Sequence, residues 1–344
     1  MKFENNSSRL KELDVLRGFA ALNVVLFHYT TKFREEYGHH YSSKYDWPYG
    51  QYGVQLFFVI SGFVIFLTLQ NVKSAGEFAY KRFTRLYPTY WICLFLTFGV
   101  VSTFGLPGRE VSFKDVIVGL TMLQGLFKFK NVDGAYWSLL PELMFYLMMG
   151  LIFSLKLLNK IRIIGVVWMI IIIFSIYHRI PYIHVLLNLE YGMFFFAGIM
   201  FYRVKSGNND LLDHFILLLC FIAALLSNFT YSTLIVDLII FSLFYLFVYG
   251  KLIYFCNSKL VFLGVISYPL YLLHQVIGFV LIRLLSGFIS NEIIVICIVI
   301  LFIILLAWLV TEYLEKPTLK ILRKKYQSRK KRPLFYTLYR NGGN

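Results

Sequence analysis

Six ionisable side chains sit where an apolar sequence should not tolerate them, and their types suit the handling of phosphate and of a proton. In the run Leu13-Asp14-Val15-Leu16-Arg17-Gly18-Phe19 to Phe27-His28, Arg17 and His28 stand eleven positions apart. Eleven helical steps are about three turns, so the two side chains share one helix face, about 16 Å apart along the axis. Phe78 to Pro88 carries Arg82 and Arg85 in an i, i+3 pair that can present two guanidinium forks to phosphates. The stretch Gly134-Ala135-Tyr136-Trp137-Ser138 leads into Glu142, less than two helical turns below an outer aromatic belt and near the expected depth of His28. A second histidine, His274, follows Ser267-Tyr268-Pro269 within another apolar run. Insertion of a charge near a bilayer centre costs a few kcal/mol, which makes such residues functional candidates by default. An imidazole next to a carboxyl would suit proton transfer. Asp14 has a plainer reading as a local ion pair to Arg17. Ser61, Glu190, Asp237 and Glu312 rank below these sites as packing, partner-binding or pairing groups.

The elements that must hold these residues are membrane helices. Of 344 residues 58% are hydrophobic and 15% charged, with a mean hydropathy of +0.67, a surface no water-soluble domain of this size carries. A transmembrane helix needs about twenty apolar residues, and the sequence predicts an all-α bundle of about ten, near 12–31, 52–70, 87–106, 136–156, 161–178, 184–202, 213–229, 231–250, 262–284 and 293–313. The first run reads as a retained helix, because Arg17 and His28 interrupt it and no small-residue cleavage site follows. Segment 115–127 is short for a span and reads as re-entrant or interfacial.

The net charge of +16 follows topology rather than nucleic acid. With the N-terminus in the cytoplasm, Lys73, Lys81, Arg82 and Arg85, then Lys156, Lys160 and Arg162, then Arg203 and Lys205, then Lys251 and Lys259 all fall inside, as does the C-terminus. Residues 1–315 read as one transmembrane domain and 316–344 as a basic cytoplasmic tail. Ten Lys or Arg lie between Lys316 and Arg340, suited to anionic lipid headgroups. The outer connections 32–51 and 107–135 are the longest and suit recognition. Cys93, Cys220, Cys256 and Cys297 lack ligand-like spacing and read as packing residues, and no metal is expected.

Taken together, Asp14-Val15-Leu16-Arg17-Gly18 with His28, Gly53 to Phe63 containing Ser61, the arginines of 82–85, Trp137-Ser138-Leu139 with Glu142 and Phe145-Tyr146, Ser267-Tyr268 with Tyr271 to His274, and Glu315-Lys316-Pro317 resemble acyltransferase family three, in its motif order. Pro141 departs from the small or aliphatic residue expected before the glutamate. The resemblance implies a membrane O-acyltransferase of a bacterial inner, cytoplasmic membrane. Such an enzyme moves an acyl group, most often acetyl from acetyl-CoA, to a hydroxyl of O-antigen, exopolysaccharide or another lipid-linked saccharide. Arg17, Arg82 and Arg85 would hold the CoA phosphates at the cytoplasmic face while pantetheine reaches across to His28. His28 would act as general base or as acyl-carrying nucleophile. Glu142 would orient His28 or hold the acceptor, with Asp14, Ser61, Trp137, Ser138 and His274 as substrate-contacting or structural groups. The alternative, a transporter exporting a glycan or an acylated small molecule, would use the same intramembrane charges to line a path.

Overall fold

In a computed structural model, residues 10–39, 41–178, 181–207 and 210–330 are described, and every regular element among them is helical. The chain runs α1 (Lys11–Phe27), a π-helical turn (His28–Lys32), α2 (Phe33–Tyr37), α3 (Gly53–Gln70), α4 (Ala75–Phe104), α5 (Phe113–Gly119) and α6 (Leu139–Ser154). It continues through α7 (Ile161–Ser175), α8 (Pro181–Leu186), α9 (Gly192–Lys205), α10 (Leu211–Ser227), α11 (Tyr231–Val248), α12 (Ser258–Ser286), α13 (Glu292–Val310), a second π-helical turn (Thr311–Glu315) and α14 (Lys316–Lys330).

Seven helical segments are long and apolar enough to cross a membrane, those containing α3, α4, α6, α7, α11, α12 and α13. The other three predicted spans behave differently. α1 is interrupted by its own charges, and α10 has 17 residues. The predicted run 184–202 breaks between α8 and α9, where Asn188 adopts a positive φ of 51°. α9 is short, and twelve of its 14 residues are buried. A helix apolar all round belongs inside the bundle. Segment 115–127 holds only the last five residues of the seven-residue α5, followed by turns; α5 is about 10 Å of helix and too short to span. Tyr90 and Trp91 of α4 tie it down by donating to the carbonyls of Gly119 and Leu120 at 2.8 and 2.9 Å.

Glycines set the two helix crossings that matter most. Between α1 and α12, a Cβ on Gly264 would stand 1.9 Å from the Asp14 carbonyl oxygen, and one on Gly18 would stand 2.8 Å from the Gly264 nitrogen. Between α3 and α9, a Cβ on Gly62 would meet the Phe195 carbonyl oxygen at 1.9 Å and one on Gly198 that of Val59 at 2.1 Å. In lipid, where no hydrophobic force drives helices together, close backbone approach at small residues supplies the packing energy. The basic end of the bundle is locked by Asp213, fully buried, which accepts both forks of Arg162 at 2.7 and 2.9 Å and the Arg203 Nε at 3.1 Å. α14 folds back onto the start of α4, where Tyr80 stacks on Tyr326 and donates to the Leu322 carbonyl at 2.8 Å. Lys331, Arg332 and Arg340 of the basic tail lie outside the described residues.

Candidate active site

Most of the predicted residues line one or other of two chambers that share part of their walls, while Asp14 and His274 line neither. The first, about 210 Å³, is lined by Arg17 from α1, Ser61 from α3, Arg82 and Arg85 from α4, Ser138 and Glu142 at the start of α6, and Ser267 from α12. The second, about 730 Å³, is lined by His28, Lys32, Arg109, Trp137, Glu190, Asp237 and Gln275 among others. Val54 and Tyr271 border both. The Tyr271 hydroxyl is fixed in this shared wall, donating to the Ala135 carbonyl at 3.0 Å and lying 2.7 Å from Ser138 Oγ.

In the arginine chamber the cations are only partly neutralised. Arg17 lies 3.3 Å from Asp14 Oδ1, as the i, i+3 spacing predicts. Arg85 pairs with Glu315, which the second π turn turns inward and which is almost fully buried. Arg82 donates to Thr68 Oγ1 at 3.1 Å and faces the Tyr146 ring, but its buried Nε has no hydrogen-bond partner. Three guanidinium groups with donors to spare form a binding set for an anion of phosphate type.

Glu142 belongs to this chamber. Its Oε1 accepts from Ser61 Oγ at 2.9 Å and from the Tyr146 hydroxyl. The expectation that it orients His28 does not match this geometry, since the ring hydrogen-bonded to His28 is that of His274. The reason is rotational. Glu142 faces α3 and α4 in the arginine chamber, whereas the α1–α12 contact through Gly18 and Gly264 brings the two histidines together.

At the histidine pair the network fixes the tautomers. His274 is fully buried, and its Nδ1 lies 2.7 Å from the Tyr271 carbonyl oxygen, which can only accept; His274 Nδ1 therefore carries the proton and Nε2 the lone pair. That Nε2 lies 3.2 Å from His28 Nδ1, which is also 2.8 Å from the Val24 carbonyl oxygen. Facing two acceptors, His28 Nδ1 must be the protonated nitrogen, which leaves the lone pair on Nε2. Tyr29 buttresses the arrangement by donating to the His274 carbonyl at 2.7 Å. The π turn begins at His28, a helical irregularity often found at functional sites.

Beside the pair, Lys32 bridges Glu35 and Glu36 at 2.9 and 3.6 Å, and Arg109 forks onto Glu36. Asp133 is fully buried and accepts from the backbone N–H groups of Ala135 and Val276 at 2.8 and 2.9 Å, tying the outer connection to α12. Burial pushes its carboxyl from the ordinary 3.8 up to about 6, against the pull of those donors and of Arg109. Arg109, Asp133 and Gln275 were not singled out by the sequence: two lie in a loop of mixed charge, and the third is an uncharged neighbour of His274.

The helical bundle thus places three arginines in one chamber and an imidazole with a free Nε2 lone pair in the other. A family model described as an acyltransferase domain matches residues 10–312, nearly the whole chain, and the protein belongs to acyltransferase family 3. It is a membrane acyltransferase. Comparison with curated proteins and with solved structures gave no match.

Proposed function

We propose that the protein transfers an acetyl group from cytoplasmic acetyl-CoA to a hydroxyl of an extracytoplasmic saccharide, in the inner membrane of a bacterium with both termini in the cytoplasm. The observation that carries this reading is the pair of chambers sharing Val54 and Tyr271, with three arginines in one and His28 in the other. On this reading Arg17, Arg82 and Arg85 hold the phosphates of CoA, and the thin pantetheine arm passes beside Val54 and Tyr271 to present its thioester to His28. Glu142, with Ser61 and Tyr146, shapes the donor chamber.

In the transfer step His28 Nε2 takes the proton of the acceptor hydroxyl as its oxygen attacks the thioester carbonyl carbon. The C–S bond then breaks, and the departing thiolate receives that proton from Nε2–H, giving an ester and free CoA. A general base of this kind works best with a neutral imidazole, and the tautomer assigned by His274 and Val24 supplies one. The test is transfer of radiolabelled acetyl from acetyl-CoA to extracted glycan in membranes bearing the unmodified protein, His28→Ala or Arg82→Ala. His28→Ala is expected to lower the rate by about two to four orders of magnitude, and Arg82→Ala to raise the KM for acetyl-CoA. Full activity in His28→Ala removes the base assignment; a trapped acylated histidine without acceptor replaces direct transfer by a two-step route.

A further inference from the structure

The histidine chamber contains more hydrogen-bond acceptor capacity than the protein itself can use. Asp237, midway along α11 and only 2% exposed, lines the chamber with an Oδ1 that has no hydrogen-bond partner among the described residues. Gln275, 3% exposed and adjacent to His274, lines it with an equally unpartnered Oε1. Gln55 Oε1 and Thr31 Oγ1 are two further buried oxygens of the same chamber without a partner. Buried polar atoms are nearly always satisfied, and leaving one open is costly. Four such oxygens belong to residues that line one cavity, where a ligand would satisfy them.

That ligand has a definable chemistry. The chamber's fixed cations are already engaged, Lys32 with Glu35 and Glu36 and Arg109 with Glu36. What remains open is chiefly acceptor-type, a carboxylate oxygen and two amide oxygens beside the Thr31 hydroxyl, so the complementary groups are O–H or N–H donors, and the Asp237 carboxyl disfavours an anion next to it. Trp137 and Tyr191, with ring centroids 5.4 Å apart, add aromatic surface to the same wall. Polar atoms for several donors beside aromatic faces suit a polyhydroxylated ring, whose hydroxyls donate and whose C–H faces pack on the rings.

We infer that Asp237 and Gln275 form the recognition site for the acceptor, and that this site selects a saccharide unit rich in hydroxyl or ammonium donors and free of carboxylate or phosphate. The inference rests on the outer chamber being the acceptor side of the transferase proposed above. Asp237 is a positioning residue, holding a neighbouring group of the sugar so that the reacting hydroxyl meets His28.

The test is saturation-transfer NMR on the purified full-length protein in nanodiscs. The probes are methyl β-D-glucopyranoside, its 2-amino-2-deoxy analogue and methyl β-D-glucuronide, with coenzyme A binding measured on the same samples. The unmodified protein is expected to bind the neutral and amino glycosides and not the glucuronide. Loss of a hydrogen bond to a charged group should weaken glycoside binding about tenfold or more in Asp237→Ala, with coenzyme A affinity unchanged, which also reports that the variant is folded. Asp237→Asn keeps an acceptor oxygen and separates the two ligand sources: it should retain the neutral glycoside and lose preference for the amino glycoside if an ammonium is the natural partner. Gln275→Ala gives an independent reading with the same expected direction. Equal binding of the glucuronide, undiminished glycoside binding in both Asp237→Ala and Gln275→Ala, or no binding of any glycoside would overturn the proposal. Glycoside binding that depends on Asp237 in a protein that does not bind coenzyme A would keep the acceptor site and instead remove the donor assignment.

Discussion

Replacing His274 removes the acceptor that shares the His28 Nδ1 proton, while the Val24 carbonyl stays in place. His274→Ala should therefore lower kcat by about tenfold, the worth of roughly one hydrogen bond, leaving the KM for acetyl-CoA unchanged; steady-state kinetics on both substrates check it, and a rise in donor KM alone would contradict it. Asp133 gives a second residue-scale expectation. Its carboxyl holds its proton up to about pH 6 in the folded protein, whereas the unfolded chain releases it near 3.8. The folded state binds more protons between those values, so stability falls as pH rises from about 4 to about 6, by on the order of 3 kcal/mol. Unfolding midpoints in detergent across that window should slope downward in the unmodified protein and flatten in Asp133→Asn. The sequence displays single ionisable residues well, because a charge in an apolar run is conspicuous: Arg17, Arg82, Arg85, His28 and Glu142 all line one chamber or the other. It does not display which of them touch, since whether His28 meets Glu142 or His274 depends on the rotation of α6 and α12 about their axes.

Elements carry the geometry that individual residues exploit. α1 and α12 approach closely enough for the histidines to meet only because Gly18 and Gly264 lack side chains. Gly264→Ala would drive a methyl into the Asp14 carbonyl, so the helices must separate, at a cost of about 1–3 kcal/mol. The expected outcome is a lower unfolding midpoint together with a loss of transfer larger than that of His274→Ala, because both Arg17 and His28 ride on α1. A variant as active as the unmodified protein would show that α1 can slide without disturbing the site. Helix identity was largely legible, as apolar runs long enough to span fix it, but ends and breaks were less so. α4 starts at Ala75 rather than 87 because the Ser74 side chain caps it, accepting from the Glu77 N–H at 3.2 Å. The break before α9 rests on Asn188 in the left-handed region, stabilised by its side chain donating to the Pro141 carbonyl at 3.2 Å. Such a contact between distant residues leaves no periodic signal. The two π turns, which carry His28 and Glu315, are likewise settled by tertiary packing.

At the scale of the whole molecule, the bundle sets three arginines and His28 in two separate chambers that share Val54 and Tyr271 in their walls. Arg17 and His28, three turns apart on one face, already mark a line from one side to the other, and the structure sets a chamber at each end of it. What the sequence could not supply is the shared wall: Val54 and Tyr271 are ordinary apolar and aromatic residues until their helices meet. On this account the donor never leaves its side of the membrane, and only the acyl group changes compartment. The direct measurement is radiolabelled acetyl-CoA supplied to one face of sealed, oriented vesicles with acceptor glycan enclosed on the other. Label should appear on the enclosed glycan when acetyl-CoA is added at the face bearing Arg82 and Arg85, and should be absent when both substrates are confined to the opposite face. Label formed only when donor and acceptor share a compartment would contradict the two-chamber route.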